Sequence, residues 1–141
     1  MIKELYTSNK DDWETPQGLF DELNKEFQFC IDVCASKENA KCDTFWTKEV
    51  DALSMDWGED TRYPLWMNPP YGREIGKWVK KASESGGVVA LLPARTDTRW
   101  FHDYIYNKAE IRFIKGRLKF SNSKNSAPFP SMIVVFGNPK Q

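Results

Sequence analysis

A chain of 141 residues, 40% hydrophobic and 14% aromatic, holds enough apolar material for one core, which excludes a disordered segment and predicts a single domain over residues 1–141. No apolar run is long enough to cross a bilayer, and the first twenty residues lack the apolar stretch of a secretion signal, so the expected setting is cytoplasmic, with no membrane. The net charge is zero, yet residues 1–70 carry 7 Lys+Arg against 15 Asp+Glu while residues 71–141 carry 13 against 5; such a split hints at a polyanionic partner for the basic half, although charge alone favours plain solvated surface.

In chain order, residues 16–27 place Leu19, Phe20, Leu23 and Phe27 at helical spacing, with Thr15 as N-cap and Pro16 at the first helical position. Residues 27–33 (FQFCIDV) read as a buried strand ending at an acid. Residues 34–64 give weak signals: a short strand at 45–47 and a turn or short helical piece at 51–57. Residues 63–67 (YPLWM) form a strand that runs into Asn68-Pro69-Pro70-Tyr71-Gly72. A helix over 75–82 ends at Ser85-Gly86-Gly87, and 88–92 (VVALL) is a buried strand stopped by Pro93. A helix over 97–106 starts at Asp97 or Thr98. A strand at 111–114, a turn at Gly116, a polar loop over 121–130 and a closing strand at 131–136 complete the chain. Alternating strands and helices of this kind predict an open doubly wound α/β sheet whose ligands bind at the carboxyl ends of its strands.

Asn68 therefore falls where such folds build their sites. An exocyclic amine on a heteroaromatic base is a poor nucleophile, because its lone pair is delocalised into the ring. The Asn68 side-chain oxygen and the Pro69 carbonyl each suit one amine hydrogen, turning the lone pair towards an electrophile. Two successive prolines, Pro69 and Pro70, hold that carbonyl rigidly, and Tyr71 offers a face for an extruded base. An amide does not titrate, so Asn68 is no general base. The electrophile must then carry a strong leaving group, as a sulfonium methyl does.

Other residues read blandly. Cys30, Cys34 and Cys42 are an odd set without zinc-site spacing, and the one histidine, His102, is distant in sequence; free thiols and no metal are expected. Cys34 reads as a small packing residue and His102 as a surface or packing histidine. Trp66, Trp78 and Trp100 read as core, and Trp13 as either.

Taken together, WETPQGLF (13–20), IDVCASKENAKC (31–42), DALSMDW (51–57), NPPYG (68–72), LLPARTDTRWF (91–101) and GRLKF (116–120) make the chain resemble the phage-type Dam family of DNA N-6-adenine methyltransferases over nearly its whole length. The resemblance implies a Rossmann-like S-adenosylmethionine-dependent methyltransferase fold: a mostly parallel sheet with a terminal antiparallel strand pair, in a minimal domain without a separate target-recognition domain. It implies S-adenosylmethionine as cofactor, double-stranded DNA as partner, GATC as the family-level target, and a monomer or weak homodimer in a bacterial or phage-infected cell. Asn68, Pro69, Pro70 and Tyr71 would be catalytic. Thr15 and Pro16, with Trp13 beside them, would meet the methionine carboxylate, Asp32 the methionine amine, and Asp43 or Asp51 the ribose or adenine. The usual glycine-rich first loop is replaced by Val33-Cys34-Ala35-Ser36, with Ala35 small enough for close approach of the cofactor. Arg95, Arg99, Arg112, Lys115, Arg117, Lys119 and Lys124 would form the DNA face, and the loop 121–129 would either offer groups to base edges, fill the gap left by an extruded base, or be a plain solvated hairpin loop. Related chemistry on RNA guanine or protein glutamine amines is one alternative, and a nucleic-acid-binding module without catalysis is the other. The charge split favours nucleic acid, and the joint presence of Asp32 and the Asn68–Tyr71 motif favours catalysis.

Overall fold

In the computed structural model, residues 11–57 and 63–138 are described, together with their side chains apart from that of Lys48. Part of the amino-terminal stretch read above for a secretion signal lies outside them. The chain builds α1 (Gln17–Phe27), β1 (Ile31–Asp32), β2 (Thr44–Phe45), β3 (Leu65–Met67), α2 (Ile75–Ser85), β4 (Val88–Pro93), α3 (Arg99–Tyr104), β5 (Glu110–Phe113) and β6 (Ser131–Phe136).

The sheet grows outward from β4 and β6, whose six residues each are all buried. They pair antiparallel from Val88↔Phe136 to Pro93↔Ser131. Continuous apolar runs of this length, buried on both faces, are central strands. The six strands lie in the order β2-β1-β3-β4-β6-β5. The β1–β2, β1–β3 and β3–β4 pairs are parallel, and β5 pairs antiparallel with β6. The sheet is therefore mixed, and its reversed strand β6 lies inside it, between β4 and β5. The expected antiparallel pair at the end of the chain exists, but it contributes a central strand.

From β1 the chain first adds β2 on one side and then crosses to β3 on the other. That reversal opens a crevice at the carboxyl ends of β1 and β3, the usual ligand position of open α/β sheets. Asp32 ends β1, and Asn68 directly follows β3. β6 starts where β4 ends, and β5 ends at the same edge. Loops 94–98 and 114–130 consequently emerge on the side of the sheet that carries Asp32 and Asn68.

Local chemistry sets the element ends. α1 begins after Pro16, whose backbone is extended, and no side chain caps it; the hydroxyl of Thr15 is used elsewhere. Its last turn reaches Phe27 and stops at Gln28 in the left-handed region, with the Gln28 N–H on the Asn24 carbonyl at 2.9 Å. This turn shortens the expected strand at 27–33 to Ile31–Asp32. Thr98 caps α3 by accepting the Phe101 N–H. On α1, Phe20 meets Trp66 edge-on at 5.4 Å, and Phe29 joins both rings. Gly87, at φ +70°, packs against the ring of Tyr63, where a Cβ would overlap the ring atoms. Gly87→Ala is expected to destabilise the chain by on the order of 2 kcal/mol in denaturant unfolding, through both the backbone sign and the overlap.

Candidate active site

A cavity of about 840 Å³ opens at the β1/β3 crevice, a size suited to a ligand as large as a nucleoside derivative. Its walls come from five segments: 11–15, the end of β1 and the loop after it with Asp32 and Ala35, the 46–53 segment, the loop after β3 with Asn68 and Pro69, and α2 with Trp78. Trp46, Ala52, Leu53 and Trp78 give one apolar flank.

Asp32 is the charged centre. It is 3% exposed, and burial pushes its carboxyl from the ordinary 3.8 up to about 6, against the opposing pull of the Lys41 and Cys34 N–H groups. One oxygen accepts the Cys34 N–H at 3.2 Å and the other the Lys41 N–H at 3.0 Å. The loop 33–41 thus wraps a carboxylate that still has lone pairs towards the cavity. A buried acid in this condition gains from a cationic ligand. Cys42 nearby has its thiol raised to about 12, by burial and then by the Asp32 charge, so it is no nucleophile at neutral pH.

Asn68 is held by its amide nitrogen. That nitrogen donates to the Trp13 carbonyl at 2.5 Å and to the Thr15 hydroxyl oxygen at 2.9 Å. Because a carbonyl can only accept, the NH2 group must face Trp13, and the amide cannot be turned round. Its oxygen Oδ1 is buried and has no partner. No described residue donates to the Pro69 carbonyl either. The site therefore holds two acceptors in want of donors, which is the arrangement an incoming amine would satisfy.

Several expected roles change. Tyr71 is 4% exposed, donates its hydroxyl to the Leu91 carbonyl at 2.9 Å, and packs edge-on against Phe120 and Phe129. Burial raises its phenol well above the ordinary value. With both faces covered it anchors the loop, and it is not an open stacking platform. Trp13 and Thr15 line the cavity, the Thr15 hydroxyl oxygen also accepting from Asn68, whereas Pro16 starts α1 outside the lining. Of the two acids left open for the ribose or adenine, Asp51 lines the cavity and Asp43 does not. Trp78, expected in the core, is half-buried in the cavity wall, whereas Trp66 and Trp100 are core. His102 is exposed and bonds the Thr96 carbonyl at 2.8 Å.

Of the seven basic residues, Arg95 and Arg99 flank the turn after β4, and Lys115, Arg117, Lys119 and Lys124 lie in the loop between β5 and β6. None of these six forms an ion pair with a described residue. Arg112 does not belong with them. It sits within β5, grips Glu26 through two bonds of 2.7 and 2.8 Å, bonds Glu110, and lies over the Phe27 ring at 5.4 Å. Those carboxylates raise its pKa and neutralise its charge. Neither the three cysteines nor any other described His, Cys, Asp or Glu forms a group fit to hold a metal. Sequence reasoning missed Lys41, Trp46 and Asn122; their signals are backbone contacts and loop closures, which no residue pattern announces.

Comparison with known proteins gives the family. The sequence profile of the family described as DNA N-6-adenine-methyltransferase (Dam) matches residues 3–140. A protein of Haemophilus phage HP1 named DNA N-6-adenine-methyltransferase is 34% identical over 141 aligned positions, covering 92% of this chain and 80% of its own length. One of Escherichia phage T1 with the same name is 32% identical over 113 positions, which cover 77% of this chain and 47% of the T1 protein. With the family profile spanning nearly every residue and a relative at this identity covering most of both chains, the chain belongs to the DNA N-6-adenine-methyltransferase (Dam) family.

Proposed function

We propose that this chain transfers the methyl group of S-adenosylmethionine to the exocyclic N6 amine of adenine in duplex DNA, with GATC as the expected target, and that its sheet is a reduced, Rossmann-like methyltransferase core. The observation that carries this reading is the buried, partnerless Oδ1 of Asn68, in an amide whose nitrogen is fully occupied.

The cofactor fits what the cavity offers. Asp32 supplies a buried carboxylate for the ammonium and sulfonium charges, Ala35 leaves room beside the first strand, Trp46 and Trp78 give flat apolar surface for an adenine, and Asp51 offers an acceptor for hydroxyls or an exocyclic amine. When bound, the cofactor supplies a methyl on a good leaving group, so no metal or general base is needed to make an electrophile. The protein supplies orientation. Asn68 Oδ1 and the Pro69 carbonyl accept the two amine hydrogens of an extruded adenine and draw its nitrogen out of conjugation. Pro70 stiffens the turn, and Tyr71 pins it to the end of β4 through Leu91. The proton released after transfer goes to water. Arg95, Arg99, Lys115, Arg117, Lys119 and Lys124 contact phosphates on either side of the extruded base.

Three measurements test the reading. Asn68→Ala should slow single-turnover transfer to adenine by on the order of a hundredfold, with cofactor affinity within about threefold of wild type; normal turnover would remove Asn68 from the chemistry. Between pH 3.8 and about 6 the folded chain holds its Asp32 proton more tightly than the unfolded chain, so stability from this group is full at low pH and declines as pH rises through 6. Cofactor binding runs the other way: calorimetry should show affinity strengthening as pH rises through about 6, by up to tenfold per unit below that point. In Asp32→Asn the profile should be flat and the affinity weaker. Finally, Arg117→Ala should weaken DNA binding and reduce the salt slope by about one, whereas Arg112→Ala should leave DNA affinity unchanged and cost stability of at most about 1 kcal/mol, as fits a water-facing ion pair.

A further inference from the structure

Residues 11–15 lie outside helix and strand, just before α1, and their polar atoms bond in two directions. Towards the catalytic loop, Trp13 and Thr15 take the two protons of the Asn68 amide, and the Asp11 carbonyl takes the Tyr71 N–H at 2.9 Å. Gly72 packs so closely on Asp11 that a Cβ there would come within 2.5 Å of its Oδ2. Towards the loop between β5 and β6, Asn122 Oδ1 accepts the Glu14 N–H at 3.0 Å, and its Nδ2 donates to the Asp12 carbonyl at 2.8 Å. Ser121 adds a backbone bond to the Glu14 carbonyl at 2.9 Å and a hydroxyl bond to the Thr15 carbonyl at 3.2 Å. The Trp13 ring lies between Phe120 and Phe129 at 5.3 and 5.1 Å.

The Glu14 N–H and the Trp13 carbonyl belong to the same peptide group. Asn122 Oδ1, that peptide, and the Asn68 amide therefore form a line of three amides, each donating to the one before it. Such chains polarise one another. Donation by the Asn68 NH2 group increases the negative charge on its own Oδ1, and the fixed nitrogen leaves that oxygen only one place to point. We infer that Thr15 and Asn122 are positioning residues for Asn68, with Asn122 acting through the peptide between Trp13 and Glu14. This rests on the reading of Asn68 Oδ1 as the acceptor for the target amine. It also gives Thr15 a function beyond cofactor contact, and it commits the exposed Asn122 side chain to the Glu14 N–H and the Asp12 carbonyl. Lys119 and Lys124 flank Asn122 in the chain, so the loop that meets the polyanion also sets the catalytic amide.

The experiment compares wild type with Thr15→Val, Thr15→Ser and Asn122→Ala in single-turnover transfer to unmethylated duplex DNA, alongside equilibrium binding of S-adenosylmethionine and of DNA. Thr15→Val should slow transfer about tenfold or more while cofactor affinity stays within about twofold, and Thr15→Ser, which keeps the hydroxyl, should recover most of the rate. Asn122→Ala should slow transfer about threefold or more with DNA affinity within about twofold. A second readout needs no turnover: hydrogen exchange of the Asn68 side-chain NH2, followed by NMR, should be slow in wild type and faster in Thr15→Val and Asn122→Ala. Should the buried Thr15→Val fail to fold, the exposed Asn122 variant decides alone. Loss of cofactor affinity in proportion to rate in Thr15→Val, or wild-type rate and exchange in Asn122→Ala, overturns the inference. Wild type that methylates no DNA but shows the exchange pattern overturns the proposed function and leaves the relay standing.

Discussion

An amide side chain has two donors and one acceptor oxygen, and the fold satisfies only the donors of Asn68. Leaving a buried acceptor bare costs on the order of 1–3 kcal/mol, which the two bonds to its nitrogen, each worth about 1 kcal/mol net, roughly offset. That balance holds only while residues 11–15 stay pressed against the loop after β3, and much of the surrounding structure serves this contact. Gly72 has no side chain because Asp11 occupies the space. Tyr71 is drawn into the core and tied to Leu91, which fixes the loop from beneath. Phe120 and Phe129 close over Trp13 from the other side.

The charge division of the sequence acquires a shape from the topology. Parallel strands deliver their carboxyl ends to one edge, so Asp32 ends β1 on the side of the sheet where Arg95 follows β4 and Lys115 and Arg117 follow β5. Acids from the first half, Asp32 and Asp51 among them, line the cavity, and from the second half Arg73 joins its lining. The reversed β6 contributes to this arrangement, because its first residue stands beside the last residue of β4 and brings the long basic loop back to the site. Arg112 shows the converse: a base placed within a strand instead of beyond its end finds Glu26 and is neutralised.

What could be read from the sequence was whatever residue type and spacing decide locally. The apolar runs at 88–92 and 131–136 read as buried strands, and β4 and β6 form there, β4 extending one residue further to Pro93; Asn-Pro-Pro-Tyr after an apolar strand pointed to the strand end at which the cavity opens. Where long-range bonds compete with local preference, the sequence misled. Thr15 before Pro16 has the form of a helix cap, but Asn68, fifty-three positions away, takes its hydroxyl. Residues 27–33 look like one strand, yet the helix takes Phe27, and the left-handed turn at Gln28 leaves only two residues to pair. Tyr71 has a ring suited to stacking, and only the packing of Phe120 and Phe129 shows that its faces are covered. Asn122 lies in a polar loop without any pattern, and its significance exists only through the peptide it meets.

Register sets the spacing of Asp32 and Asn68. Asp32 pairs with Trp66 across β1 and β3, and Asn68 lies two residues further along. Neighbouring strands are about 4.8 Å apart and rise about 3.3 Å per residue, so the α-carbons of Asp32 and Asn68 are separated by roughly 8 Å. A cation held by the buried acid and an amine held by the buried amide would then approach each other from adjacent strand ends, separated by about the reach of a short aliphatic chain. Neither group could perform the other's part. A carboxylate at position 68 would bring a second charge beside the first and raise the cost of burial, while an amide at position 32 would leave a cationic ligand without its counter-charge. The two short strands thus place a charged acceptor and a neutral acceptor at one crevice.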